Sequence, residues 1–322
     1  MKSIMINRYG GPEVISILDR PIPKPLSNEV LVKVAAAGIN SADWHFMRGD
    51  PFVLRLAMGM KKPRIKGLGA DLAGTVVEVG DDVHDLKIGD TVFGDLSNCG
   101  FGAFADFVAA PATSFLPTND TLPLEHWAAV PMASVTALKG LKLVAKIQKG
   151  EKLLVNGASG GVGSFAVQIA KVLGAHVTAV CSKEKMPMFN SALVDELIDY
   201  KKTKLLDLEN RYDVIFDAAA FQPPFAYEKL LLPKGRYVLV GGDFTKQIKV
   251  IMMGGIRNLL SDKKFLSYLS MPDRGLLQEI IQWINEGKIK PNIDTIFPMS
   301  SASEALQRMH DRNVRGKILL QN

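Results

Sequence analysis

The stretch Lys152-Leu-Leu-Val-Asn-Gly-Ala-Ser-Gly-Gly-Val-Gly163, running without a break into Ser164 and the apolar residues up to Leu173, decides the fold. Its β-prone start enters a turn of small residues and leaves it as a helix. Within the turn, Ala158-x-Gly160-x-x-Gly163 has the spacing of a dinucleotide fingerprint, with Gly161 additional and Ser159 and Val162 filling the gaps. Small residues are needed because a Cβ would hold a pyrophosphate away from the backbone N–H groups at the helix N-terminus, where partial positive charge gathers. Val162, Phe165, Ala166, Ile169, Ala170 and Leu173 recur at helical spacing, and Gly174 stops the helix. A second strand at 175–180 completes one βαβ unit. Ala158 stands where the usual pattern has its first glycine, which the turn tolerates if φ there stays negative.

A chain of 322 residues with 47% apolar content is long enough for two cores. The 39 basic against 33 acidic residues leave a net charge of +6, scattered in small groups without interleaved aromatics. That pattern does not indicate a nucleic-acid surface, and it suits attraction of a polyanionic cofactor. Cys99 and Cys181 are too few and too far apart for a disulfide scaffold or a four-thiolate zinc lobe. No apolar run approaches the roughly 20 residues of a membrane span, and the N-terminus turns polar too early for a signal peptide. A cytoplasmic protein with neither a membrane nor a nucleic-acid partner is expected.

Residues 1–121 are punctuated by Gly and Pro, with short β-rich runs at 29–36, 72–79, 91–93 and 103–109, which predicts a compact, barrel-like β domain. From 122 the period changes. Helical runs at 123–130 and 132–146 flank Pro131, and strands follow at 152–156, 177–180, 196–199, 213–217 and 236–240. Apolar strands ending in glycine or acidic residues predict a doubly wound parallel sheet over 122–260, with ligand at the carboxyl ends. Residues 248–253 read as one more strand and 256–269 as helix. Residues 273–286 form an amphipathic helix stopped by Gly287, Ser301-x-x-Glu304 fits a capping box, and 316–320 read as a strand. The tail, 261–322, is expected to return to the first domain.

Several strings in order resemble the medium-chain dehydrogenase/reductase superfamily, and within it the zinc-free quinone oxidoreductase branch that includes zeta-crystallin-like proteins. They are Tyr9-Gly-Gly-Pro-Glu-Val14, Ala37-Gly-Ile-Asn40 with Asp43, Gly74-Thr-Val-Val-Glu-Val-Gly80, Gly89-Asp-Thr-Val-Phe93, the glycine turn, Val194-Asp-Glu-Leu-Ile-Asp-Tyr200 and Arg315-Gly-Lys317. The resemblance implies a GroES-like catalytic domain with a Rossmann domain inserted in it, a cleft between them, and a homodimer joined through the Rossmann sheet edge. Zinc-bearing members place a Cys in the segment matching 38–40 and Gly-His-Glu where this chain has Gly69-Ala70-Asp71, so no catalytic metal is expected. Without that Lewis acid, alcohol oxidation is disfavoured, and hydride transfer to a quinone or an α,β-unsaturated carbonyl is the easier reaction.

The position after the second strand, where NAD-selective folds carry a carboxylate, is Cys181, followed by Ser182, Lys183 and Lys185. NADPH is therefore the expected cofactor. By resemblance, Ser182, Lys185 and Tyr200 contact its 2′-phosphate, Thr136 lies beside the nicotinamide, Gly241 ends a strand near the ribose, and Phe244 and Lys317 lie in segments closing over ring and ribose. The same lysines read otherwise as a solvated loop. Asn40 is the candidate catalytic residue, an amide able to donate to a developing enolate or hydroquinone oxygen; the competing reading is a loop-capping asparagine. Asp43 orients that loop or caps a helix. The apolar, methionine-containing run 46–60, with Phe46 and Leu54, suits a cleft for flat hydrophobic substrates or else packs inward, and Met252 lines the opposite wall or an inter-subunit contact. The rivals are an NADPH-binding sensor with little turnover and zinc-dependent alcohol oxidation.

Overall fold

The computed structural model describes residues 1–241 and 244–321; residues 242, 243 and 322 lie outside the description. The chain divides into two units, one built from Met1–Ala133, Met271–Gln278 and Pro291–Asn322, the other from Ser134–Ser270 and Glu279–Lys290.

The first unit opens with the antiparallel pair β1 (Lys2–Ile6) and β2 (Ile15–Asp19). The valine-rich β3 (Glu29–Gly38) pairs antiparallel with β4 (Asp71–Val79), β4 with β5 (Thr91–Asp95), β3 also with β6 (Phe107–Pro111), and β5 with β7 (Phe115–Pro117). Register shifts between Leu31/Val32 and Val34/Ala36 bend the β3–β4 ladder, as bulges do where a sheet curves. Helices α1 (Ser41–Arg48) and α2 (Leu54–Met58) interrupt the chain between β3 and β4, and α3 (Leu124–Trp127) follows β7. Ile4, Val32, Leu72, Phe104 and Phe115 meet in one core.

Helix α4 (Pro131–Leu138) spans the point where the units part, and a π-type turn at Lys139–Val144 follows it. The second unit holds β8 (Lys152–Asn156), α5 (Gly161–Val172), β9 (His176–Cys181), β10 (Glu196–Asp199), β11 (Tyr212–Asp217), β12 (Leu231–Leu239), α6 (Phe244–Leu260) and β13 (Lys264–Ser267). The strands lie in the order β10-β9-β8-β11-β12-β13, all parallel, which is the 3-2-1-4-5-6 order of a doubly wound dinucleotide fold. The buried middles of β8, β9 and β11 are largely apolar because both faces of the sheet are covered there. Helix α5 is buried on every side from Gly163 to Ala170, more than a single stripe predicts.

Helix α7 (Arg274–Asn285) leads to β14 (Ile293–Pro298), α8 (Ala302–His310) and β15 (Lys317–Gln321). Strand β15 lies between β14 and β3, antiparallel to β3.

Five sequence expectations are corrected. Residues 248–253 are helical, part of α6, because Gln247, Val250 and Gly254 form its inward stripe, and a Cβ on Gly254 would stand 2.8 Å from the Phe265 carbonyl oxygen. The sixth strand is β13, inside the run read as helix, so the second unit extends to Ser270 instead of stopping at 260. The first boundary falls after Ala133, not at 121: Trp127 packs on Phe93 with ring centroids 4.8 Å apart, and the Met132 N–H donates to Asp71 Oδ1 at 3.1 Å. Residues 279–290 rejoin the second unit because the Gln168 amide holds the Lys290 backbone both ways, 3.0 Å from its carbonyl and 3.0 Å from its N–H. At Ser301 no side-chain cap forms, so the Ser301-x-x-Glu304 capping box is absent.

Candidate functional site

Strand β8 ends at Asn156, and Gly157 then takes φ +80°, a conformation only glycine adopts cheaply. The left-handed residue of the turn is thus Gly157 and not Ala158, which is why a methyl is accepted there. Ala158 is fully buried, with its N–H on the Val180 carbonyl at 3.0 Å. Gly163 presses on the same turn: a Cβ would overlap the Gly157 carbonyl oxygen and stand 2.8 Å from Ala158 Cα. Gly160, the N-cap of α5, is less crowded, with the nearest atom 3.5 Å from a would-be Cβ. The first N–H to bond back into α5 is that of Ser164, on Gly160 O at 2.9 Å. The N–H groups of Gly161, Val162 and Gly163 belong to the first helical turn, which supplies no internal acceptor. An anionic diphosphate fits that arrangement.

Beside this turn the end of β9 carries Cys181 and Ser182, both buried, and no carboxylate. Burial pushes the Cys181 thiol up to about 11, with Asp199 adding to the rise, so it stays protonated at neutral pH. Glu184, the acid nearest the end of that strand in sequence, is exposed and held well below the usual range, at about 2, by backbone N–H groups, Ser182 and Lys201, whose ammonium is 3.2 Å away. Lys185 is half-buried and Tyr200 exposed; the Tyr200 N–H donates to Cys181 O at 3.3 Å, and its ring lies 5.9 Å from that of Phe221. Ser182, Lys185 and Tyr200 therefore share one end of the sheet. Gly241, with φ +66°, follows β12, and among the described residues no atom lies within 4 Å of a would-be Cβ. Thr136 is buried on α4, and its carbonyl accepts from the Tyr268 hydroxyl. Phe244 opens α6, and its side chain lies outside the described residues.

At the switch point, where β8 and β11 run side by side, Asp217 is fully buried. Its Oδ1 accepts from Asn156 Nδ2 at 2.8 Å and from the N–H groups of Ala219 and Ala220 at 3.1 and 2.8 Å, and its Oδ2 from the Tyr237 hydroxyl at 2.7 Å. Burial raises its pKa, and these donors oppose the rise.

The first unit gathers a second polar centre. Register places Asp71 opposite Gly38 on one side and Asp95 on the other, while β15 brings Lys317 beside Asn40. The Lys317 ammonium, almost wholly buried, donates to Ile39 O at 3.0 Å, Asn40 Oδ1 at 2.5 Å and Asp71 Oδ2 at 3.4 Å. Asn40 Nδ2 donates to Asp71 Oδ2 at 2.9 Å and more weakly to Gly38 O at 3.4 Å. Asp43 Oδ2 accepts the Asn40 N–H at 2.8 Å, closing the first turn of α1. Burial pushes Asp43 and Asp71 up to about 7, with Lys317 opposing, and it raises Asp95 as well.

The structure brings Asn40, Asp43 and Lys317 together. Lys317, which the resemblance sets over a ribose, spends its three ammonium hydrogens on interior acceptors. Asp71 accepts from Lys317, and the charge of Lys317 is also felt at Asp95, a placement that only strand register reveals. Phe46 is interior, its ring 4.6 Å from that of Phe101. Leu54 is half-buried and Met252 exposed. Among the described residues no group of three or more His, Cys, Asp or Glu side chains is placed to hold a metal ion. Asn40 Oδ1 and Asp71 Oδ2 both already accept from the Lys317 ammonium.

Residues 26–120 match the family described as alcohol dehydrogenase GroES-like domain, and residues 194–320 the family described as zinc-binding dehydrogenase. A chloroplast envelope quinone oxidoreductase homolog of Arabidopsis thaliana is 32% identical over 100% of this chain and 98% of its own length. An NADPH-dependent alkenal/one oxidoreductase of the same plant is 30% identical, covering 99% of this chain and 79% of its own. The solved quinone oxidoreductase of Coxiella burnetii superposes with a TM-score of 0.88 at 27% identity, over 100% of this chain and 99% of that one.

Proposed function

Since the chain belongs to the medium-chain dehydrogenase/reductase superfamily, we propose that it is an NADPH-dependent, zinc-independent reductase of quinones or α,β-unsaturated carbonyls. The observation that carries the reading is the glycine turn opening α5 at the switch point, together with the missing carboxylate at the end of β9. The relatives' names, quinone and alkenal/one oxidoreductase, support the substrate class. Bound NADPH supplies the hydride. The chain's own residues hold its diphosphate on the N–H groups of Gly161, Val162 and Gly163, and its 2′-phosphate near Ser182, Lys185 and Tyr200. Asn40 donates to the oxygen that gains charge on reduction. The 3.4 Å bond to Gly38 O is the one a substrate oxygen replaces, while Lys317 on Asn40 Oδ1 polarises the amide. Water delivers the final proton.

Steady-state assays with NADPH and NADH on a panel of quinones and 2-alkenals test the reading. Turnover is expected with NADPH, and the Lys185→Glu substitution is expected to raise KM for NADPH about tenfold while leaving that for NADH unchanged. No coenzyme oxidation with any acceptor removes the enzyme claim; tight NADPH binding without oxidation favours a sensor instead.

A homodimer and a cytoplasmic location belong to the same proposal. Among the described residues strand β13 pairs only with β12, and α6 beside it exposes Met252, Leu259 and Leu260 by 71%, 87% and 84%. An open edge next to bare aliphatic side chains is what a second copy covers. Sedimentation should give twice the chain mass, and Leu259→Asp/Leu260→Asp should give the monomer; a wild-type monomer at micromolar concentration refutes the dimer. Cys99 and Cys181 are both unpaired, which suits a reducing compartment.

A further inference from the structure

The run 51–70 holds five Lys and Arg residues and no Asp or Glu. Phe52 and Val53 just ahead of α2 and Leu56 within it are exposed by 60%, 47% and 63%; Met60 follows at 48%. The segment is tied down from beneath. The Tyr9 hydroxyl donates to Gly59 O at 2.8 Å, the Arg64 N–H to Met58 O at 2.8 Å, and Arg55 Nε to Gly49 O at 2.9 Å, with the Arg55 guanidinium 4.6 Å from the centre of the Tyr9 ring. Beyond the apolar side chains, Lys61, Lys62, Arg64 and Lys66 are all exposed. Among the described residues none of these four takes part in an ion pair.

We infer that this face docks on the surface of an anionic lipid bilayer. Aliphatic and aromatic side chains held outward beside a block of unpaired cations match a headgroup region that is negative outside and apolar a few ångströms deeper. A second copy of the chain is a poor occupant, because an isologous contact sets this acid-free patch against itself and like charges repel. Phosphate contact alone, as on a nucleic acid, gives no role to Phe52 and Leu56. No helix among the described residues is long and apolar enough to cross a membrane, so the contact is peripheral. It does not depend on the reductase reading, since docking needs neither coenzyme nor turnover.

Co-sedimentation of the full chain with phosphatidylcholine vesicles, and with vesicles that also contain phosphatidylglycerol, tests the inference. Retention is expected on the mixed vesicles only, weakened by more than about tenfold in high salt and by Lys61→Glu/Lys62→Glu, and weakened also by Phe52→Ser. The Lys61→Glu/Lys62→Glu protein should keep its NADPH oxidation rate with a water-soluble acceptor. Absence of retention on the mixed vesicles, equal retention on both vesicles, equal retention of wild type and Lys61→Glu/Lys62→Glu, or a dimer that Phe52→Ser turns into a monomer would overturn it, the last by showing that a second copy covers the face.

Discussion

Replacing Lys317 by methionine should cost about 3–5 kcal/mol of stability at about pH 8, because it leaves buried carboxylates without their cation. The ammonium touches Asn40 and Asp71, and it opposes the burial that lifts Asp43, Asp71 and Asp95. Methionine fills most of the volume but satisfies none of the three acceptors. The dependence on pH separates this from a packing loss. Asp43 and Asp71 have folded pKa values of about 7, above their ordinary value of 3.8. A carboxyl raised in this way contributes stability that is fully present below its unfolded pKa and lost as pH rises through the folded one. Without Lys317 the rise is larger and the loss extends to higher pH. The deficit of the variant should therefore shrink when urea denaturation is repeated at about pH 5.5. A deficit under about 1 kcal/mol, the size expected of a surface pair, and unchanged between the two conditions, would sink the account.

The glycine turn gives the second large effect. At Gly163 an added methyl overlaps the Gly157 carbonyl, so backbone must shift, and Gly163→Ala should lose about 2–4 kcal/mol of stability and more than about a hundredfold in NADPH affinity. Gly160→Ala is the contrast. Its φ of −81° suits alanine and its nearest neighbour would be 3.5 Å away. Stability should change by no more than about 1 kcal/mol, the cost of a poorer N-cap. NADPH affinity, read by fluorescence quenching, should still fall by about tenfold, since the methyl stands where a diphosphate approaches the N–H groups. Wild-type affinity in both variants would mean that the coenzyme binds elsewhere.

The doubly wound sheet was legible because its signals are local: Leu153 to Val155, the small-residue turn and the stripe from Val162 to Leu173 follow one another in sequence. Five of the six parallel strands follow from the same logic. The sixth does not, since the four residues of β13 are too short to show a period, and the apolar run before them fits either helix or strand until Gly254 is seen against Phe265. The unit boundaries were hidden for another reason. Gln168 with Lys290, and Asp71 with Met132, are long-range hydrogen bonds that no window of sequence contains. In the polar centre, Asn40 and Asp43 stood out through the Ala37-Gly-Ile-Asn40 string that carries the resemblance. Lys317, expected over the ring and ribose, reaches them only through the β15–β3 pairing, which no window of sequence contains.

Asp217 also governs how the neighbouring turn responds to a visitor. By gripping the amides of Ala219 and Ala220 while Asn156 and Tyr237 hold the carboxylate, it keeps the wall beside Gly157 in a single shape, even with Ala220 at φ +52°. A receptor moulded in advance surrenders little freedom on capture. The selectivity of that cradle therefore comes from rigidity already built into the empty protein, and little of the ligand's binding energy is diverted into shaping it.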